Sequence, residues 1–122
     1  MPQLDVRIEA EHGIKIATDR AISSALIVSE VLTNAAKYAY KSRPHGKIWV
    51  TVASASATEV MLSVRDEGPG LPEGFDPQSA KSLGMRIITA FAKQLKGVLV
   101  VNSSSAGTEF VLTFPIDRAK SS

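Results

Sequence analysis

The sequence predicts an α+β domain: a mixed, mainly antiparallel sheet with helices packed on one of its faces. Strand patterns come in neighbouring pairs, Lys47–Ala53 with Glu59–Arg65 and Val98–Asn102 with Thr108–Phe114, which argues against a doubly wound parallel fold. Two longer segments repeat their apolar residues at the 3.6-residue period of a helix. At 122 residues and 44% hydrophobic content, the chain can bury one real core.

The elements follow in order. Leu4, Val6 and Ile8 alternate with Asp5, Arg7 and Glu9, the pattern of a half-buried strand. Gly13 interrupts it, and Ile14 to Ile16 has the look of a second short strand. Thr18 or Asp19 is placed to cap a helix from Asp19 to Tyr40, with Val28, Val31, Leu32, Ala35 and Ala39 as its core stripe. Pro44 and Gly46 break that helix. The next two strands form a hairpin across the small polar link Ser54 to Thr58. Asp66 to Ser82 is a loop holding Gly68, Pro69, Gly70, Pro72, Gly74 and Pro77, and a loop that long usually serves a function. A second helix, about Gly84 to Lys96, puts Met85, Ile88, Phe91, Ala92 and Leu95 on one face, and Gly97 ends it. The last hairpin turns around Ser103 to Gly107. With no repeat and no linker, residues 1–116 are expected to form a single domain and 117–122 a polar tail.

Composition excludes several functions. The formal charge is only +2, with no basic run, so nucleic acid is not the expected partner. Without cysteine there is no disulfide framework, thiol nucleophile or thiolate metal site. His12 and His45 sit apart in loop-like stretches, too few for a catalytic zinc. The first residues lack the apolar stretch of a signal peptide, and no apolar run approaches the ~18 residues that cross a bilayer. The expectation is a soluble, cytoplasmic domain with no direct membrane contact.

Four places could carry chemistry. On the long helix, at ~100° per residue, Asn34 lies about 40° from Glu30 and Lys37 about 20° to its other side, so the three share a face away from the core stripe. A carboxylate, an amide oxygen and an ammonium suit a Mg²⁺-bound phosphate, the oxygens toward the metal or its waters and the cation toward the phosphate. Glu and Lys at such spacing also describe an ordinary solvated face. Asparagine, however, is a poor helix-interior residue that needs a reason to be there. Leu26 and Ile27 on the same side suggest a covered groove. Second, Asp66-Glu67-Gly68-Pro69-Gly70 follows a strand directly: the glycines let a ligand approach the backbone, and Asp66 can accept from an exocyclic amine such as adenine's. A tight turn would use the same residues. Third, Ser82-Leu83-Gly84-Met85 opens the second helix, where free N–H groups suit an anion or Ser82 simply caps. Fourth, Gly107-Thr108 enters the last strand, where Thr108 can bond a ligand or a water, or only end the hairpin.

Taken together and in order, these segments resemble the GHKL ATPase/kinase superfamily. Glu30-Val31-Leu32-Thr33-Asn34-Ala35-Ala36-Lys37-Tyr38 resembles its N box, Asp66-Glu67-Gly68-Pro69-Gly70 its G1 box, and Ser82-Leu83-Gly84-Met85 its G2 box, with Gly107-Thr108 and Phe110 as the closing element. The chain looks most like the catalytic ATP-binding (HATPase) domain of a bacterial sensor histidine kinase. The stretch from Gly70 through Phe75 and Pro77 to Gly84 resembles a short-lid subclass related to the HWE kinases. Ser29 stands where HWE kinases proper carry a His, no Trp-x-Glu precedes the G1 box, and Ser82 replaces a common glycine.

The resemblance implies the Bergerat fold, helices on a mixed sheet of about five strands, with ATP between the helices and a lid over residues 71–83. It implies that Glu30 acts as base or polarises through water, that Asn34 holds Mg²⁺, that Lys37 meets phosphate, and that Tyr38 lines the pocket. Asp66 would read the adenine amine, directly and through water with Thr108. Gly68, Gly70 and Gly84 would admit the nucleotide, with Leu71, Phe75, Ser82, Leu83 and Met85 beside it. The chemistry implied is transfer of the ATP γ-phosphate to a histidine on a separate dimerisation and phosphoacceptor domain of the parent kinase, with a response regulator downstream. This chain holds no phosphoacceptor helix pair, so little activity is expected of it alone. Two other readings stay open: a stand-alone serine kinase of the anti-sigma-factor type, and a non-catalytic nucleotide-binding module.

Overall fold

The computed structural model describes residues 3–40, 45–70 and 83–117, with Tyr38 described for its backbone alone. The elements run β1 (Gln3–Ala10), α1 (Thr18–Asn34) with a π-helical turn over Ala35–Ala39, β2 (His45–Ser54), β3 (Glu59–Asp66), α2 (Leu83–Gln94), β4 (Val98–Ser104) and β5 (Gly107–Pro115). The strands lie side by side in the order β1-β2-β3-β5-β4. Only β1 and β2 are parallel; the other neighbours are antiparallel, as the paired strand patterns predict.

Alternation along the strands places Ile48 and Val50, Val60, Leu62 and Val64, and Phe110, Leu112 and Phe114 on one face of the sheet. Helices α1 and α2 cover that face with Ile27, Val31, Ala35, Met85, Ile88, Ala92 and Leu95. Each large apolar side chain so buried contributes roughly 1.5–3 kcal/mol. On the opposite face the Arg65 guanidinium sits 4.2 Å from the ring centre of its cross-strand partner Trp49.

The helix stripe is centred differently from the one its apolar residues suggest. Ile27, Val31 and Ala35 are buried, while Val28, Leu32 and Ala39 pack as its flanks. Ile27 is therefore a core residue and does not wall a groove, because it lies one turn before Val31 on the same face. Leu26 beside it is 44% exposed. The stripe also includes Arg20, which is only 5% exposed. Its guanidinium donates to the carbonyl of Pro115 at 2.8 Å and to the carbonyl of Leu95, with the Phe114 ring 5.9 Å away. One charged side chain thus ties the start of α1 to the ends of α2 and β5.

Three local expectations are corrected. Ile14 to Ile16 is irregular, because the left-handed Gly13 (φ 84°) turns the chain and both isoleucines pack on the core instead of pairing as a strand. Neither Thr18 nor Asp19 caps α1; Ala17 holds that position with no side-chain cap, its carbonyl accepts from Arg20 and Ala21, and its N–H donates to Ile116 at 3.3 Å. At the end of α2 the left-handed residue is Lys96 (φ 54°), one before Gly97. Gly97 is small for another reason: a β-carbon there would meet Leu112 Cδ1 at 2.7 Å.

Candidate functional site

The half of α1 nearest the π turn carries Glu30 and Asn34 off the core stripe, both half-buried, and the turn carries Lys37 in the open. The second residue of α2, Gly84, faces the first two. A β-carbon on Gly84 would lie 3.1 Å from Asn34 Oδ1 and 3.2 Å from Glu30 Oε2. Segments 50 residues apart in the chain therefore meet. Among the described residues neither the Glu30 nor the Asn34 side chain takes a hydrogen bond within the protein. Two oxygen donors without a hydrogen bond among the described residues, beside the first turn of a helix, suit a hard cation and an anion together. No cluster of three or more acidic or histidine side chains among the described residues could hold a metal by itself. A divalent ion here would need ligands from the anion as well, which is how Mg²⁺ is commonly bound with phosphates.

The second part of the site forms where β3 ends. Asp66 Oδ1 accepts from the Gly68 N–H at 2.9 Å and from the Thr108 N–H at 3.2 Å, so two backbone donors fix the carboxylate. Thr108 is buried, and its hydroxyl lies 3.2 Å from Ser103 Oγ across the β4–β5 pair. Its link to Asp66 thus runs through the backbone, while its side chain faces Ser103. Gly107 before it has φ 143° and sits against the Asp66 carbonyl, where any β-carbon would fall 2.1 Å from that oxygen. Only glycine combines that backbone with that space. Gly70, also left-handed (φ 87°), packs the end of the G1 segment on Ser104.

The two parts touch. A β-carbon on Gly68 would fall 2.5 Å from the Ala39 β-carbon, so the G1 turn rests on the end of the π turn. Tyr40 follows, 2% exposed, its N–H bonded to the Ala35 carbonyl at 3.0 Å, which closes the wider five-residue turn. Its hydroxyl accepts from the Glu67 N–H at 2.7 Å and donates to the Lys47 carbonyl at 2.6 Å. Its ring occupies the space a side chain on Gly46 would need. Sequence reasoning missed Tyr40, although an aromatic hydroxyl two residues after the N-box motif, ahead of a glycine, was there to be noticed.

Other expected site residues are placed less centrally. The Met85 side chain is buried in the core. Leu83 is 72% exposed at the first position of α2. Leu71, Phe75 and Ser82 lie outside the described residues, as do the side chain of Tyr38 and the tail beyond residue 117. Among the described residues no helix is long and apolar enough to cross a membrane.

The chain is similar to several known histidine kinases. The "Blue-light-activated histidine kinase 2" of Erythrobacter litoralis is 29% identical over 117 residues, covering 96% of this chain and 34% of that protein. The "Sensor histidine kinase PdtaS" of Mycolicibacterium smegmatis is 32% identical over 102 residues, 82% of this chain and 20% of that protein. Among solved structures, the histidine kinase domain of the Erythrobacter litoralis EL346 kinase superposes with a TM-score of 0.81 at 30% identity, covering 93% of this chain and 52% of that one. The chain thus spans about a third or less of these two curated relatives. The family described as "Histidine kinase-, DNA gyrase B-, and HSP90-like ATPase" matches residues 20–118, all but the first strand and the ends, and the chain belongs to it.

Proposed function

We propose that this chain is the ATP-binding catalytic domain of a two-component sensor histidine kinase, which transfers the γ-phosphate of ATP to a histidine on a separate phosphoacceptor domain. The observation that carries the reading is the convergence of Glu30 Oε2 and Asn34 Oδ1 on Gly84 at the start of α2. In this reading Asn34 would hold Mg²⁺, and Glu30 would act as base or polarise through water. Lys37 adds a mobile positive charge. Asp66, held by two backbone N–H groups, presents its remaining oxygen to the adenine amine. Leu83 and Gly84, at the start of α2, would lie beside the nucleotide. Bound Mg²⁺ would neutralise charge developing on the phosphoryl oxygens. The protein's share is positioning and electrostatics, because phosphoryl transfer asks little covalent chemistry of it.

The downstream partner is a response regulator, and the compartment is the cytoplasm. Similarity to the "Anti-sigma F factor" of Shouchella clausii, 32% identical over 92 residues, supports the rival of a serine kinase on the same scaffold. Calorimetry with a non-hydrolysable ATP analogue, with and without Mg²⁺, tests the binding reading: affinity should rise with Mg²⁺. Radiolabelled ATP supplied with candidate acceptors separates the rest. Label in acid-labile phosphohistidine supports the kinase named here, and label in acid-stable phosphoserine supports the rival. Tight binding with no transfer to either leaves a non-catalytic module.

A further inference from the structure

Residue Tyr40 belongs to none of the motifs, yet among the described residues it is the most enclosed polar side chain near the site. The π turn sets its position. Because Tyr40 N–H reaches back five residues to Ala35, Ala39 and Tyr40 emerge on the side of the G1 segment. Ala39 then meets Gly68, and the Tyr40 hydroxyl meets the N–H of Glu67. These are the two residues that follow Asp66. The Asp66 carboxylate is aimed by the Gly68 N–H, so the orientation of the acceptor depends on where the 67–68 backbone sits. The second bond of Tyr40, to the Lys47 carbonyl at the start of β2, anchors the hydroxyl to the sheet. A buried hydroxyl that both accepts and donates is fixed in direction, and a fixed donor–acceptor link transmits position with little slack.

We propose that Tyr40 is a positioning residue for nucleotide-base selection: it couples the helix that bears Glu30 and Asn34 to the turn that aims Asp66. This inference rests on the reading of Asp66 as the acceptor for the adenine amine. It goes beyond that reading by assigning selectivity to a side chain that touches no nucleotide.

Base preference is the readout, taken as the ratio of affinities for ATP and for inosine triphosphate, which carries a 6-oxo group where ATP carries the amine. Both ligands report on the same folded molecules, so the ratio does not change if part of the sample unfolds. Tyr40→Phe keeps the ring and removes the hydroxyl. The ratio is expected to fall by about tenfold, most of it as weaker ATP binding, as for the loss of one well-aligned hydrogen bond. A purely structural role would lower the melting temperature and leave the ratio unchanged, and a folded Tyr40→Phe protein with the ratio of the unmodified protein overturns the inference. Should that variant not fold, Gly68→Ala presses the same seam from the other side against Ala39. It should compress the ratio too, and an unchanged ratio there overturns the inference equally. Asp66→Ala separates the two levels. A ratio that survives Asp66→Ala removes the base reading and this inference with it. One that collapses in Asp66→Ala but survives in Tyr40→Phe removes the inference alone.

Discussion

Gly84 faces Asn34 at close range: a β-carbon on the glycine would come within 3.1 Å of the amide oxygen and 3.2 Å of the Glu30 carboxylate. The contact joins α1 to α2 at the point where both present polar groups. Alanine at 84 would press on the ends of two flexible side chains, which can shift by a few tenths of an ångström. Valine would fill the space between them. Gly84→Val is expected to weaken Mg²⁺-dependent ATP binding by about tenfold or more, ~1.4 kcal/mol, and Gly84→Ala by less. Calorimetry gives the affinities and circular dichroism confirms that helix content is kept.

Asn34→Ala tests the metal role directly. Its side chain is half-buried and takes no hydrogen bond among the described residues, and alanine is the better helix former, so stability should stay within about 0.5 kcal/mol. ATP affinity in the presence of Mg²⁺ should fall to its metal-free level. Continued strengthening of binding by Mg²⁺ in this variant would mean that Asn34 does not hold the ion.

Asp66→Asn separates the turn from the recognition. An asparagine Oδ1 can still accept from the Gly68 and Thr108 N–H groups, so the end of β3 should hold its shape. The second oxygen becomes an NH₂ donor, which suits a 6-oxo purine and repels a 6-amino one. Preference should move from ATP toward inosine triphosphate, by about one to two powers of ten if the group is desolvated. Competition between the two nucleotides measures it, and an unmoved preference removes Asp66 from base recognition.

Much of this was written in local pattern. Period-two alternation gave β2, β3 and β5 their faces, and the Glu30–Asn34 spacing put those two side chains on one side of α1, because both follow from single-element geometry. What stayed hidden depends on partners far along the chain. Nothing near Arg20 announces that its charge will be covered by carbonyls of Leu95 and Pro115, 75 and 95 residues away. The π turn left no mark either: Ala35 to Ala39 would suit an α-helix equally well by propensity, and only the fit of Ala39 and Tyr40 on the G1 turn favours the extra residue. The stripe of α1 was misplaced for the same reason as Arg20. A charged residue and a serine, Ser23, occupy two of its buried positions and break the apolar count.

Arg20 should therefore matter to stability and not to the ligand. Along a helix rising 1.5 Å per residue it lies about 20 Å from Asn34, at the opposite end of α1. Arg20→Met keeps much of the apolar stem but strands two carbonyls that now accept from a charged donor. With hydrogen bonds to charged groups contributing ~1.5–3 kcal/mol each and partial rescue by water, a loss of about 3 kcal/mol is expected. In a domain of this size that lowers the melting temperature by roughly 10 °C. Arg20→Lys should recover only part of it, since one ammonium on a flexible stem cannot reproduce a planar fork that reaches two carbonyls at once. Thermal melts of the three proteins give the order Arg, Lys, Met. Calorimetry below the transition should give the same ATP affinity for all three. A large drop in affinity without a drop in stability would place Arg20 in the site and not in the frame that holds it.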